Sequence, residues 1–240
     1  MSGAPIVQMT GVVKARPGPA PLRVANLTIA LGDRLSIAGL AADEAELVLN
    51  LITGASLPDE GTVLVAGHDT RAIATDTEWL RSLDRFGIVT DRAVLVGGLT
   101  VAANLALPLT LSIDPMSDEI RARVEQLASD VGLPKGGLLG PASALDAHLR
   151  ARVHLARAVA TDPQVLLLEH PTARFTTPDA SAAFGITLAR VADALQLGWL
   201  ALTDDDVFAR ASGARRVKLE ASTGRIRPVG GFWSLWRPAG

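Results

Sequence analysis

The sequence predicts an α/β protein with a mainly parallel sheet, antiparallel edge strands and a helical subdomain inserted into the α/β core. Short apolar runs alternate with segments of helical periodicity along most of the chain, which is typical of parallel strands joined by helices. The first two strand candidates are joined by the turn-rich segment ARPGPAP, which indicates an antiparallel pair. Residues 99–160 carry two helical patterns without a strand between them, which predicts the inserted subdomain.

The predicted elements follow from local residue patterns. Strands are predicted at Ile6–Val13, Leu27–Ala30, Leu35–Ile37, Val63–Val65, Phe86–Val89, Val165–Leu168, Leu200–Leu202 and Arg216–Leu219. Helices are predicted at Asp43–Ile52, Asp118–Val131, Leu145–Ala160, Pro178–Leu195 and Asp205–Ala211. The second of these helices has clear ends, because Ser117 can cap it and Gly132 follows it. The segment Lys135–Ala144 is predicted to be a flexible link inside the helical subdomain.

The composition fits one domain with a packed core, because 48% of the 240 residues are hydrophobic and 20% are charged. We therefore predict a single domain over residues 1–240. The net charge of −2 argues against a nucleic-acid partner, since such proteins usually carry a basic surface. The absence of cysteine excludes disulfides, thiolate metal sites and thiol nucleophiles. The first residues lack the apolar core of a signal peptide.

Two segments raise the question of a membrane or a partner. The stretch Ala93–Ile113 carries no charge and is long enough to span a bilayer, but it contains Gly97, Gly98 and Pro108. We therefore predict a buried segment of a soluble protein that docks on a membrane partner. Residues 225–240 form a tail that contains the sequence FWSLW, and these aromatic residues predict either an interface or packing onto the chain's own domain.

The segment from Leu35 to Asp69 is the most informative part of the sequence. It runs from a strand through a glycine and a short loop into a helix that ends in ITG, followed by PDEG and a strand that ends in AGHD. This order resembles the opening of an ATP-binding cassette (ABC) transporter ATPase, a family with a P-loop NTPase-like fold. The family's phosphate loop, GxxxxGK[ST], corresponds here to Gly39-Leu40-Ala41-Ala42-Asp43-Glu44-Ala45-Glu46, followed by Leu47.

The resemblance continues in register over most of the chain. Arg152–Pro163 is similar to the helix after the family's signature LSGG, which reads Leu145-Asp146-Ala147-His148 here. Leu166–Thr172 resembles LLLDEPT, with Glu169 for the metal-side aspartate and His170 for the catalytic glutamate. Asp91 stands for the glutamine of the glutamine loop, and Asp204 stands for the histidine of the switch strand. The stretch Asn104–Leu109 resembles the corresponding segment in subfamilies that serve lipid or lipoprotein trafficking.

The resemblance implies that the residues that bind and hydrolyse ATP have nearly all been replaced. Ala45 stands for the lysine that would contact the β/γ-phosphates, and Glu46 stands for the hydroxyl that would hold Mg²⁺. Glu44 replaces the second glycine, so both shape and charge oppose a phosphate at this loop. Asp146 would repel the phosphate held by a partner subunit. We expect no ATP or Mg²⁺ cofactor and no catalytic residue.

A second interpretation of Glu169, His170 and His148 is a new metal or acid–base site, but residue drift explains them more simply. The leading hypothesis is a degenerate, catalytically inactive subunit on the inner face of a membrane. Its expected partners are integral-membrane permease subunits, with an active ABC ATPase or a second copy as dimer partner. Two alternatives remain open: a weakly active ATP-hydrolysing transport subunit, and a non-transporter adaptor that uses the fold as an interaction surface.

Overall fold

The computed structural model describes residues 5–18, 20–90 and 92–229. Its larger sheet has six strands in the order β10-β9-β3-β8-β7-β6. In chain order these strands are β3 (Arg34–Ala38), β6 (Phe86–Thr90), β7 (Val165–Glu169), β8 (Gly198–Leu202), β9 (Arg215–Glu220) and β10 (Arg225–Pro228). Five of them are parallel, and β10 pairs with β9 in antiparallel orientation at one edge. The strand–helix alternation therefore gives the mainly parallel sheet that the sequence predicts.

A second sheet of four strands accounts for the antiparallel pair at the start of the chain. Its order is β2-β1-β4-β5, and its strands are β1 (Pro5–Lys14), β2 (Leu22–Ala30), β4 (Glu60–Val65) and β5 (His68–Asp69). β1 pairs with both β2 and β4 in antiparallel orientation. The predicted antiparallel strands are thus present, but they form a sheet of their own, and the antiparallel edge of the larger sheet is β10.

Helices cover the sheets and connect the parallel strands. They are α1 (Ala42–Thr53), α2 (Asp76–Leu83), α3 (Val101–Ala106), α4 (Asp118–Asp130), α5 (Ala147–Val159), α6 (Pro178–Leu195) and α7 (Asp206–Ala211). Side chains of Thr75, Thr100, Ser117, Asp146, Thr177 and Asp205 cap the helices from α2 to α7 in that order. Most boundaries agree with the predicted ones within two residues, although β2 and β4 begin earlier than predicted.

The helical subdomain contains one more helix than predicted, because the short α3 precedes α4 and α5. The sequence prediction missed α3 since it has only six residues in an uncharged stretch. α2 was also missed, because it has only eight residues and none of them is buried. The predicted flexible link contains two short 3₁₀ turns, at Lys135–Gly137 and Ala142–Ala144.

Two apolar clusters fill the fold. One lies under α1 and includes both sheets, and the other joins the subdomain helices to α6 and the far side of the larger sheet. The uncharged stretch Ala93–Ile113 is only partly buried, since Val94 and Leu111 are exposed, which corrects the prediction of a buried segment. No helix in the ranges that the structure describes has both the length and the apolar character needed to cross a membrane.

Candidate functional site

The candidate site is built on the turn between β3 and α1, at the C-terminal edge of the parallel strands. Gly39 follows β3 with φ of +86°, a left-handed conformation that glycine adopts without strain. A Cβ atom at this position would lie 2.8 Å from the carbonyl oxygen of Leu219 on β9. The turn therefore requires glycine for both conformation and space. We call residues 39–47 the phosphate-loop segment.

Asp204 is hydrogen-bonded to the start of the phosphate-loop segment. This residue follows β8, and its Oδ1 accepts a hydrogen bond of 2.7 Å from the backbone N–H of Gly39. An N–H group in such a turn is a ready donor for an anion, and here the chain supplies the anion itself.

Glu44 accepts a hydrogen bond from a second backbone N–H of the same segment. Its Oε2 accepts a hydrogen bond of 2.9 Å from the backbone N–H of Ala41, and the residue is only 8% exposed. Arg16 neutralises this helix start, since its Nη2 donates to Glu44 Oε1 at 2.7 Å and its Nη1 donates to Asp43 Oδ2 at 2.8 Å. Acidic side chains in a first helical turn complement the helix dipole, so this arrangement stabilises α1.

The remaining residues of the phosphate-loop segment belong to α1. Ala42 begins the helix, Ala45 is fully buried, and Leu47 packs against the apolar cluster beneath the helix. The buried methyl group of Ala45 cannot supply the cation that a lysine would bring to this position.

Arg92 connects the phosphate-loop segment with the end of β7. Its Nη1 forms an ion pair with Glu46 of α1, and its Nη2 donates to Glu169 Oε2 at 2.6 Å. Glu169 is only 3% exposed, so its carboxylate lies inside the fold with this guanidinium as its partner. Burial alone would lower the pKa of Arg92, but the hydrogen bonds and charges of Glu169 and Glu46 raise it above its usual value.

His170 follows Glu169 in a left-handed backbone conformation, with φ of +40°. Its backbone N–H donates to the carbonyl oxygen of Leu202 at 2.9 Å, which links the ends of β7 and β8. Its Nε2 is buried and makes no hydrogen bond within the ranges that the structure describes. These same ranges contain no group of three His, Asp or Glu side chains suited to a metal.

The four residues that correspond to the family signature lie at the start of α5. Asp146 caps this helix, since its Oδ1 accepts a hydrogen bond of 2.7 Å from the backbone N–H of Leu149. Leu145 precedes the cap, Ala147 begins the helix, and His148 packs edge-on against Phe175 with 5.6 Å between ring centroids. Burial and the charge of Arg152 lower the pKa of His148, so this ring is neutral at pH 7.

The structure brings most of the predicted site residues to one edge of the sheet. Gly39, Glu44, Glu46, Glu169 and Asp204 all lie there. In the described part of the chain, no hydrogen bond or ion pair joins this group to Leu145–His148. Asp91, predicted for the glutamine position, lies outside the described residues, as do Trp233 and Trp236 of the tail.

Sequence reasoning missed Arg16 and Arg92, the two cations of the site. Each arginine is distant in sequence from its buried partner: Arg16 and Glu44 are 28 positions apart, and Arg92 and Glu169 are 77 positions apart. The available signal was an excess of carboxylates at positions that converge on one sheet edge, because such a cluster needs cations nearby.

A comparison with known protein families matches residues 22–173 to the ABC transporter family model. Among curated relatives, the methionine import ATP-binding protein MetN of Brucella abortus is 28% identical over 236 residues, which cover 98% of this chain and 62% of the relative. The macrolide export ATP-binding/permease protein MacB 1 of Aeromonas hydrophila is 30% identical, over 76% of this chain and 28% of the relative. The chain thus spans less than two thirds of the length of these relatives.

Solved structures show the same fold. The ATP-binding cassette MJ0796, in a dimeric post-hydrolysis state with ADP and Pi, superposes with a TM-score of 0.74 at 23% identity, covering 94% of this chain and all of that one. CbiO1 from Clostridium perfringens, part of the ABC transporter complex cbiONQ, gives a TM-score of 0.76 at 18% identity, covering 93% and 87% of the two chains. These likenesses confirm the predicted fold class.

Proposed function

This chain belongs to the ABC transporter family, and we propose that it is a catalytically inactive member that serves a membrane transport complex as a structural or regulatory subunit. One observation carries the proposal. Two backbone donors of the phosphate-loop segment are bonded to the chain's own carboxylates, Gly39 N–H to Asp204 and Ala41 N–H to Glu44. A bound triphosphate would have to displace both contacts and then lie beside the displaced carboxylates.

The charges at the site do not fit a nucleotide. Glu44, Glu46, Glu169 and Asp204 bring four carboxylates to the edge of the sheet, and the position of the phosphate-binding lysine holds the buried Ala45. One like-charge contact at ~4 Å costs on the order of 4 kcal/mol near a protein surface, which corresponds to a loss of hundreds-fold in affinity. Arg16 and Arg92 offset only part of this cost, since two cations face four carboxylates.

The residues at the positions that serve ATP hydrolysis in the family also differ from those of the family. A water-activating group must lie beside bound phosphate and metal, and His170 has neither ligand to act on if the phosphate-loop segment binds no nucleotide. Asp146 places a carboxylate at the start of α5, where the family signature would present free N–H groups to a phosphate on a partner subunit. A homodimer would then contain no complete site, and a heterodimer would have at most one.

The proposed partners are integral-membrane permease subunits, with a second copy or an active ABC ATPase as dimer partner, on the cytoplasmic face of the membrane. MacB 1 is named as an ATP-binding/permease protein, and CbiO1 is described as part of a transporter complex, which supports a membrane partner for this chain. The lipid-related cargo suggested by Asn104–Leu109 remains a prediction.

Equilibrium dialysis with radiolabelled ATP and Mg²⁺ tests the loss of nucleotide binding. We expect no binding at millimolar ATP, and a dissociation constant below about 1 mM, equivalent to about −4 kcal/mol, would overturn the proposal. Co-purification from the native membrane tests the partner. A permease in the eluate supports the proposal, whereas only cytosolic proteins in the eluate would favour the non-transporter adaptor.

A second candidate is a weakly active ATP-hydrolysing transport subunit. It is favoured by the names of the relatives, which are ATP-binding proteins that match as much as 98% of this chain. Under this alternative, ATP would displace Asp204 and Glu44 from their N–H donors, and the same dialysis experiment would detect it.

A further inference from the structure

The ion pairs of Arg92 lie at the place where the resemblance puts a metal ion. In the family, the residue at position 46 supplies a hydroxyl that holds Mg²⁺, and the residue at position 169 supplies the metal-side carboxylate. In this chain, both positions hold glutamate, and one guanidinium contacts both carboxylates. Arg92 is the only cation paired with either of them in the ranges that the structure describes.

We propose that the Arg92 guanidinium takes the place of a divalent cation between Glu46 and Glu169 and thereby ties the segment that enters the helical subdomain to the α/β core without any ligand. The proposal rests on the proposed function, since a site that still bound ATP with Mg²⁺ would have no use for an internal cation. The ion pairs of Arg92 would explain why this site stays folded without a bound metal ion.

The carboxylates themselves require a cation. Glu169 is almost fully buried, and a buried carboxylate without a partner is strongly unfavourable. Glu46 is more accessible, with a side chain 42% exposed, so most of the demand for charge comes from Glu169. A fixed guanidinium meets this demand with two directed contacts, which is the geometry that arginine provides and a lysine does not.

Arg92 also begins the segment that leads from β6 into the helical subdomain, residues 92–98, which we call the linking segment. Further contacts hold this segment from the subdomain side. Arg157 of α5 donates to the carbonyl oxygen of Val94 at 3.2 Å, and buried Asn104 of α3 bonds both the N–H and the carbonyl oxygen of Val96, at 2.8 and 3.0 Å. Arg92 is therefore the attachment on the core side, to α1 and β7, and Arg157 and Asn104 are the attachments on the subdomain side.

The first test measures Mn²⁺ binding by electron paramagnetic resonance, without nucleotide, in the full chain and in Arg92→Ala. We expect no binding to the wild type at millimolar Mn²⁺, and binding at least about tenfold tighter to Arg92→Ala, whose two carboxylates are then free for a cation. Arg81→Ala removes an exposed arginine that makes no ion pair in the described part of the chain, and this control should behave as the wild type. A dissociation constant below about 1 mM for Mn²⁺ and the wild type would overturn the proposal.

The second test uses the unfolding temperature and hydrogen exchange. Arg92→Ala should lower the unfolding temperature by on the order of 5 °C, whereas Arg92→Ala with Glu169→Gln should recover part of this loss, because no buried carboxylate is left unpaired. In both variants, exchange of the amides of residues 93–96 should accelerate at least about tenfold, since the core-side attachment is gone.

If Arg92→Ala binds Mn²⁺ no more tightly than the wild type, the guanidinium does not take the place of a divalent cation and the proposal is wrong. If Arg92→Ala fails to fold and the double variant folds, the proposal is supported; if the two are equally destabilised, Arg92 does not act as a counter-ion and the proposal is wrong. Unchanged exchange in residues 93–96 would overturn the tie to the helical subdomain. ATP binding to the wild type in the presence of EDTA would contradict the proposed function while leaving the role of Arg92 intact, so the two failures are distinguishable.

Discussion

The side-chain carboxylate of Asp204 lies 2.7 Å from the backbone nitrogen of Gly39 and accepts its hydrogen bond. The two residues are 165 positions apart in the chain, and the parallel pairing of β3 with β8 brings them together. An aspartate at the end of β8 thus caps the turn at the end of β3. Glu44 accepts a second hydrogen bond from the same turn, from the N–H of Ala41, so two donors of the turn are bonded to the chain's own carboxylates.

Restoring the phosphate-loop residues should recover binding without recovering turnover. We expect the triple variant Glu44→Gly, Ala45→Lys, Glu46→Ser to bind ATP at least about tenfold more tightly than the wild type, because it gains a cation and loses two carboxylates. Steady-state ATPase activity should remain near the background, since His170, Asp204 and the Leu145–His148 segment are unchanged. Dialysis and a phosphate-release assay measure the two quantities.

The matched control for this variant is Leu47→Ser, which changes a neighbouring residue of the same helix without adding the lysine or removing a carboxylate. It should bind no more ATP than the wild type. Turnover by the triple variant at rates typical of enzymes, about 1–10³ per second, would contradict the view that several parts of the site have been lost independently.

Asp205 should make the stability of the chain depend on pH in the acidic range. Burial would raise its pKa, but hydrogen bonds from the Phe208 N–H, Ser181 and Thr172 hold the pKa below its usual value. A lowered folded-state pKa means that the stabilising contribution is complete above the unfolded-state pKa of about 3.9 and is lost as the pH falls through the folded value.

We therefore expect Asp205→Ala to lower the free energy of unfolding at pH 7 by about 1–2 kcal/mol, the usual cost of losing a helix cap. The difference from the wild type should shrink below about pH 4. Urea unfolding at several pH values measures this, with Asp179→Ala, a first-turn acid of α6 that is not its cap, as the control. A difference that is constant from pH 7 to pH 3 would contradict the assignment.

Sequence reasoning predicted the sheet and most helices because their signals are local. The parallel strands are continuous apolar runs, and the cap Ser117 marks where α4 begins. The site residues at the phosphate-loop segment could also be located, since the flanking ITG and PDEG fixed their register. Arg16 and Arg92 could not, because their partners are distant in sequence and only the fold defines them. The pairing of β1 with β4 was not predicted either, because the paired residues are distant in sequence.

Gly39 should be the least replaceable residue of the turn. Gly39→Ala combines a left-handed φ of +86° with a Cβ that would lie 2.8 Å from Leu219 O, so we expect a loss of about 3 kcal/mol or more. Gly213→Ala is the control, because Gly213 has φ of +72° but open space around its Cβ position. Its loss should be about 1–2 kcal/mol, the cost of the backbone conformation alone. Equal losses in urea unfolding would mean that the contact with β9 is unimportant.

The last prediction concerns the surface by which the chain would meet the proposed membrane partner. The resemblance to the family implies that the uncharged stretch Ala93–Leu111 would border the groove between the α/β core and the helical subdomain that receives a short helix from the membrane subunit. Val96 presents a side chain at 46% exposure, while Asn104 fixes its backbone through both the N–H and the carbonyl oxygen. An aspartate at this position should therefore change the surface and leave the backbone in place.

We expect Val96→Asp to detach the protein from native membranes in a co-sedimentation assay, because a carboxylate is costly against an apolar partner surface, while circular dichroism stays unchanged. Ile186→Asp is the matched control, since Ile186 is an exposed apolar residue at 59% on α6, outside this stretch, and this variant should still co-sediment. If folded Val96→Asp co-sediments like the wild type, this surface is not the docking site. The FWSLW tail, which lies outside the described residues, then becomes the segment to truncate, because it contains two of the four tryptophans and aromatic side chains are enriched at interfaces.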